Sequence, residues 1–207
     1  MKQDFEKIEN WLKENAQKIL NHSLQKPATE SEINEVEKTI GKSFPVDFKE
    51  LYLWHNGLNN HENFGSLFYG MDFFPVNRIV KEYLYKKEHY ASENIPLEKA
   101  DKEIDLTNMY NNDWVKFAFD GSHTGLFIDL APTSQGHYGQ IIFKDDEYGT
   151  GILVANSTKE LIEIFKNDLE NNLYKLDEDA LEDGNHYLTA DSKIDIVNWE
   201  TSEIWKR

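Results

Sequence analysis

The apolar pattern of this chain changes period twice, and that change limits the folds open to it. Before residue 90, apolar residues recur at helical spacing: Phe5, Ile8, Trp11, Leu12 and Ile19, then Ile33, Val36 and Ile40, then Phe48, Leu51 and Tyr52, then Val76, Ile79, Val80, Tyr83 and Leu84. From Trp114 the period becomes two, with Val115, Phe117 and Phe119 alternating with Lys116 and Ala118, as in a half-buried strand. Three more short strands are predicted at 126–130, 138–144 and 152–155. Their connections are too short for crossovers, so neighbouring strands should run antiparallel. Helical spacing returns after Ser157 with Leu161, Ile162, Ile164, Phe165 and Leu169. Helices grouped before and after a run of antiparallel strands define an α+β fold.

Local signals set the element ends. Thr29 with Glu32, and Ser157 with Glu160, have capping-box spacing. Gly41 suits a left-handed helix end, and Pro45 suits a first helical turn, where its missing N–H costs nothing. The first helix is predicted over 4–20 and the third ends at His55-Asn56-Gly57. Leu67–Met71 reads as a short strand, and 91–112 as a polar surface loop. The 207 residues, 39% apolar, suffice for one well-buried core, and 12 Phe, 10 Tyr and 5 Trp supply its bulk. Residues 172–207 are strongly acidic: from Asp168 on there are 11 acidic and 4 basic residues, a net of −7. Leu173, Tyr174, Leu188, Ile196, Trp199 and Trp205 nevertheless predict a segment partly docked on the core.

Two blocks in order resemble the SUKH superfamily, the Smi/Knr family. The first runs from Glu35 to Gly57 and contains Gly41, Phe44-Pro45-Val46-Asp47-Phe48, Leu51-Tyr52 and His55-Asn56-Gly57. The second comprises Trp114, Phe119-Asp120-Gly121, Asp129-Leu130, Pro132, Gly136 and Gly139-Gln140-Ile141-Ile142, with Ala155-Asn156-Ser157 before the last helix. The resemblance covers 1–171 and leaves 172–207 as an acidic extension. It implies a strongly bent, mainly antiparallel sheet with helices packed around it, and binding rather than catalysis. Bacterial members are associated with immunity to polymorphic toxins, and eukaryotic members are regulatory interaction proteins connected with cell-wall synthesis.

The residues agree with a binding role. No cysteine is present, which removes disulfides, thiolate metal sites and cysteine nucleophiles. The seven histidines form no His-x-x-x-His pair, and Asp145-Asp146-Glu147 lacks the pattern of a calcium loop, so no metal and no cofactor is expected. Ser122 and His123 share a turn with Asp120, where turn chemistry explains them better than nucleophilic catalysis. The N-terminus has no signal peptide pattern, and no run approaches a membrane span, so a cytoplasmic location is expected. With 38 acidic and 22 basic residues the net charge is −16, which disfavours nucleic acid and suits a basic partner. The expected function is stoichiometric neutralisation of a basic toxin domain, with a regulatory scaffold linked to cell-wall synthesis as the alternative. The partner-binding candidates, taken from loops and strand ends, are Glu62, Asp72, Asp120, Asp129, Asp145, Asp146 and Glu147.

Overall fold

The computed structural model describes residues 1–59 and 65–207. Its elements are α1 (Lys2–Asn15), a π-helical turn (Ile19–Ser23), α2 (Glu30–Ile40), α3 (Val46–Trp54), a 3-10 turn (Phe68–Gly70), β1 (Asp72–Phe73), α4 (Val76–Tyr90), β2 (Lys99–Ala100), β3 (Trp114–Phe119), β4 (Thr124–Asp129), β5 (Gln140–Asp145), β6 (Thr150–Ala155), α5 (Thr158–Glu170), β7 (Tyr174–Leu176), α6 (Glu178–Glu182) and β8 (Leu188–Ala190). The fold is α+β. Strands β1-β3-β4-β5-β6-β2 form one sheet, antiparallel throughout except for β2 against β6. Bulges between Lys116 and Ala118 and between Ile141 and Ile142 kink it, because an unpaired residue bends its strand. Among the described residues no helix is long and apolar enough to cross a membrane.

The caps act as their sequences require. Thr29 accepts from the Glu32 amide at 3.2 Å, and the Glu32 carboxylate accepts from the Thr29 amide at 2.7 Å. Gly41 ends α2 with φ +80°. At α5 the reciprocity shifts by one residue: Ser157 accepts from Glu160 N, but the Glu160 carboxylate accepts from Asn156 N at 2.6 Å. The first helix stops earlier than expected. The Asn15 side chain donates to Trp11 O, and Ala16 leaves helical geometry before the π-helical turn.

Leu67–Met71 is not a strand. It is a tight turn in which Tyr69 takes φ +52° and Gly70 φ +80°. The segment is apolar because Leu67, Phe68, Tyr69 and Met71 are all buried, and burial on every side leaves no period to read. The 91–112 segment also differs from the expected surface loop. Its Leu97, Ile104 and Met109 are buried with Trp114, Phe127 and Ile142 in a second core on the sheet face away from the main core. All six residues of β4 and all six of β5 are therefore buried.

On the other face, Leu126, Ile128, Ile141 and Phe143 meet the helices. Phe48 of α3 meets Phe117 edge-on at 5.5 Å, and Phe68 meets Phe165 of α5 at 5.1 Å. Residues 172–207 continue this core: Tyr174, Leu188, Ile196 and Trp199 are buried in it. The β7–β8 hairpin is held by Ser66, whose hydroxyl donates to Leu188 O and accepts from Leu188 N. The Tyr174 hydroxyl accepts from the Tyr69 amide at 3.1 Å and so holds the left-handed turn.

The two sequence blocks meet in space. Gly139, at φ +85°, leaves room for Pro45: a Cβ there would lie 2.2 Å from the proline Cγ. Tyr138 donates to Ser43 O at 2.6 Å, and Asp47 accepts from Lys159 N at 2.9 Å. His55-Asn56-Gly57 is a joint of the same kind. His55 Nδ1 donates to Gln25 O at 2.6 Å, and Asn56 Oδ1 accepts from Val76 N at the start of α4. Gly57 has φ +69°, and a Cβ there would lie 2.3 Å from Pro75 N.

Gly57→Ala should therefore cost about 3 kcal/mol or more in urea unfolding, through backbone collision and a strained φ together. A change within about 0.5 kcal/mol would show that the joint is loose.

Candidate functional site

Strand register decides where the sequence-derived carboxylates lie. Asp72 pairs with Phe119, Thr124 pairs with Asp145, and Asp146 N donates to His123 O at 2.9 Å. Asp72, Asp120, Asp145, Asp146 and Glu147 therefore gather at one end of the sheet, where the β3–β4 and β5–β6 turns lie side by side. Asp129 lies at the opposite end of β4, beside Trp114 and Gln140. Glu62 lies outside the described residues.

The gathered carboxylates have different tasks. Asp120 folds its own turn, accepting from Ser122 N at 2.8 Å and Thr124 N at 3.0 Å. Asp145 is buried; it accepts from Glu147 N and Tyr148 N with one oxygen and from Trp199 Nε1 at 2.9 Å with the other. It thereby ties the β5–β6 turn to the C-terminal extension. Asp146 pairs with Lys144 at 2.6 Å, and Asp72 pairs with Arg78, whose guanidinium lies 3.8 Å from the Phe74 ring centroid. Burial pushes the Asp72 carboxyl up against the pull of Arg78. Glu147 is the open one, with its side chain 61% exposed.

The turn also holds a contact that its sequence was not expected to make. Ser122 Oγ lies 2.9 Å from His123 Nδ1, and His123 Nε2 lies 3.5 Å from Glu147. A nucleophile here would need nearby amides to steady an oxyanion. The amides of Ser122 and Thr124 already donate to Asp120, and the tip stands in solvent. The arrangement orients the turn.

The extension turns this end into an acidic trough. One hollow of about 260 Å³ lies between His123, Glu147 and Tyr148 on the sheet side and Asn198, Trp199 and Glu200 on the extension side. A neighbouring hollow of about 460 Å³ is lined by Asp120, Asp177, Tyr187 and Asp195 among others. Asp120, Glu147, Asp177, Asp195 and Glu200 thus border one connected surface. The exposed Tyr148 hydroxyl registers its field: the charges of Glu200 and then Glu147 hold its pKa above the usual tyrosine value. The sequence showed an acidic tail and acidic turns but gave no sign that they face each other. That juxtaposition depends on the contact between Asp145 and Trp199, 54 residues apart.

Asp129 has another character. It is fully buried, and burial pushes its carboxyl up to about 6 even though Ala131 N and Gln140 Nε2 donate to it. Its two oxygens are held by the fold. Among the described residues no group of three or more His, Cys, Asp and Glu is placed to hold a metal ion.

Comparison with known proteins places the larger part of the chain in a family. The family model described as SMI1 / KNR4 family (SUKH-1) matches residues 27–164. KNR4/SMI1 homolog 2 of Debaryomyces hansenii is 26% identical over 224 residues, covering 87% of this chain and 37% of that protein. The cell wall assembly regulator SMI1 of Saccharomyces cerevisiae is 25% identical, covering 84% of this chain and 41% of its own length. A glucan synthesis regulatory protein of Neurospora crassa is 22% identical, covering 98% and 45%. The chain thus spans less than half the length of each of these three relatives. The family match contains the two sheet turns and stops before Asp177, Asp195, Trp199 and Glu200.

Two outcomes are expected. Asp145→Ala leaves the indole N–H of Trp199 and two turn amides without their acceptor. It should lose about 3 kcal/mol or more and make 172–207 the first segment cut in limited proteolysis; an unchanged cleavage pattern would show that the extension docks without this bond. For Asp129, the folded pKa lies above the unfolded one, so folding takes up a proton between the two. Its own contribution is full below about pH 4 and is lost as pH rises through about 6, a change of about 3 kcal/mol. Carboxyl NMR should give a midpoint near 6 for Asp129; one below about 4.5 would contradict the burial argument.

Proposed function

We propose, from the premise that this chain belongs to the SMI1 / KNR4 family (SUKH-1), that it is a regulatory protein-binding module that captures a basic segment of a partner protein in the acidic trough. The observation that carries this reading is the trough itself: Glu147 and Glu200 face one hollow from two separate parts of a chain of net charge −16, and Asp195 lines the hollow beside it. A cationic segment would be steered in by the summed field and held by carboxylates that the fold has already positioned. The exposed Tyr148 on the rim sets an aromatic ring beside Glu147 and Glu200, where lysine or arginine would meet it. The proposed role is binding without turnover.

The names borne by the relatives favour regulation of cell-wall or glucan synthesis as the setting. Neutralisation of a bacterial toxin, the function first expected, draws on the resemblance to bacterial members and on the acidic surface, which serves either role, and gains nothing from those names.

The test compares partners recovered from the source cells by the wild-type chain and by the Glu147→Lys/Glu200→Lys variant. Recovery of a defined partner through a basic segment should fall at least tenfold in the variant. It should also weaken as salt rises from about 50 to about 300 mM, because the Debye length shrinks across that range. A partner retained equally by both chains would place its binding elsewhere and overturn the trough reading. Restored growth on a cell-wall-stressing dye, in yeast lacking SMI1 and expressing this chain, would support regulation of wall assembly; no restoration would count against that setting.

A further inference from the structure

The opposite sign of charge is concentrated elsewhere on the molecule. Between α4 and strands β3 to β5, on the sheet face of the second core, lies a cavity of about 260 Å³. Three ammonium groups line it, from Lys86, Lys116 and Lys144, together with Tyr90, Tyr110 and Phe127. In a chain with 38 acidic and 22 basic residues, three lysines sharing one hollow are unusual.

Two of these lysines are part of the fold. Lys86 Nζ donates to Asn111 O at 2.7 Å and Trp114 O at 2.6 Å. Lys144 Nζ donates to Met109 O at 2.8 Å and pairs with Asp146 at 2.6 Å. Lys116 differs: among the described residues no hydrogen bond or ion pair reaches its ammonium. It lies 4.4 Å from the Phe119 ring centroid and 5.6 Å from that of Phe127, the ring that Lys144 approaches at 5.0 Å. Glu82, the other carboxylate of the lining, lies 3.8 Å from Arg78. The cavity therefore carries net positive charge. Burial first, then repulsion by Lys144 and Lys116, brings the Lys86 pKa down to about 7.

The walls add a shape requirement. Tyr90 and Tyr110 are stacked at 4.2 Å and 7°, and both line the cavity, with Lys144 Nζ 5.5 Å from the Tyr110 ring centroid. A volume of about 260 Å³ is small for a cofactor, since ordinary ligand pockets begin near 300 Å³. It suits one ring with one charged group.

We propose that this cavity binds a small aryl anion, an aromatic ring bearing a single carboxylate or phosphate, with the charge at Lys116 and the ring against Tyr110 and Phe127. The site is independent of the acidic trough and of its partner. Bringing the anion to Lys116 forms a charge-assisted contact in a half-enclosed site, where it is worth more than in water.

The test is an NMR titration of the whole chain with phenyl phosphate, benzoate and inorganic phosphate in parallel. Phenyl phosphate or benzoate should saturate with a Kd of about 1 mM or tighter and shift the ring signals of Tyr90, Tyr110 and Phe127. Lys116→Met should weaken binding about tenfold and Lys116→Arg should restore it. Lys116 is half-buried and its ammonium holds no backbone group, so an unchanged amide spectrum in Lys116→Met confirms that the variant folds. Inorganic phosphate should bind at least tenfold more weakly. The proposal is overturned if neither aryl anion shifts those rings at about 10 mM, ten times the expected Kd. It is equally overturned if Lys116→Met binds as the wild type does, or if inorganic phosphate binds as well as phenyl phosphate.

Discussion

Everything else in this molecule is arranged around a sheet whose two middle strands are buried on both faces. With all six residues of β4 and of β5 removed from water, the sheet needs two covers. The helices supply one, through Phe48 of α3 and Phe165 of α5. The chain between α4 and β3 supplies the other, by burying Leu97, Ile104 and Met109 on Trp114, Phe127 and Ile142. The C-terminal extension then closes the end where the turns lie, with Trp199 seated on Asp145. A segment that reads as a polar loop and another that reads as an acidic tail are thus structural parts, because the sheet could not stay dry without them.

The residues that carried the family resemblance serve this framework. Gly139 admits Pro45, Asp47 holds the first turn of α5, and Asn56 caps α4. Each joins two elements by hydrogen bonds or close approach. A framework of this kind does not fix the function, since function resides in the site rather than in the fold.

Charge is sorted over those surfaces. The acidic trough and the lysine-lined cavity lie at the same β5–β6 turn: Asp145 and Glu147 line the trough, and the pair Asp146–Lys144 lines the cavity. Of the carboxylates gathered at the turns, Asp145 is bound inward and Asp146 is paired with Lys144, while Glu147 stays open together with Glu200 from the extension. Side chains adjacent in sequence therefore belong to opposite electrostatic environments. Alternation along a strand and its turn sends neighbours to different faces.

How much of this could be read from the sequence follows the range of the forces involved. The α2 cap at Thr29, the left-handed Gly41, the Asp120 turn and the run of antiparallel strands depend on residues within a few positions of one another. They were legible because local hydrogen bonding and side-chain period are written in adjacent residues. The turn at Leu67–Met71 escaped notice because a segment buried on every side has no period. The second core also escaped, because three apolar residues spread over 97–109 look like a loop until a sheet face is set against them. The candidate site divides in the same way. Sequence alone determined that this chain is an acidic α+β protein with carboxylates in its strand turns. The tertiary structure decided that Asp145 would be buried, that Glu147 would face Glu200, and that three lysines would share one cavity, since those outcomes rest on contacts between residues far apart in the chain.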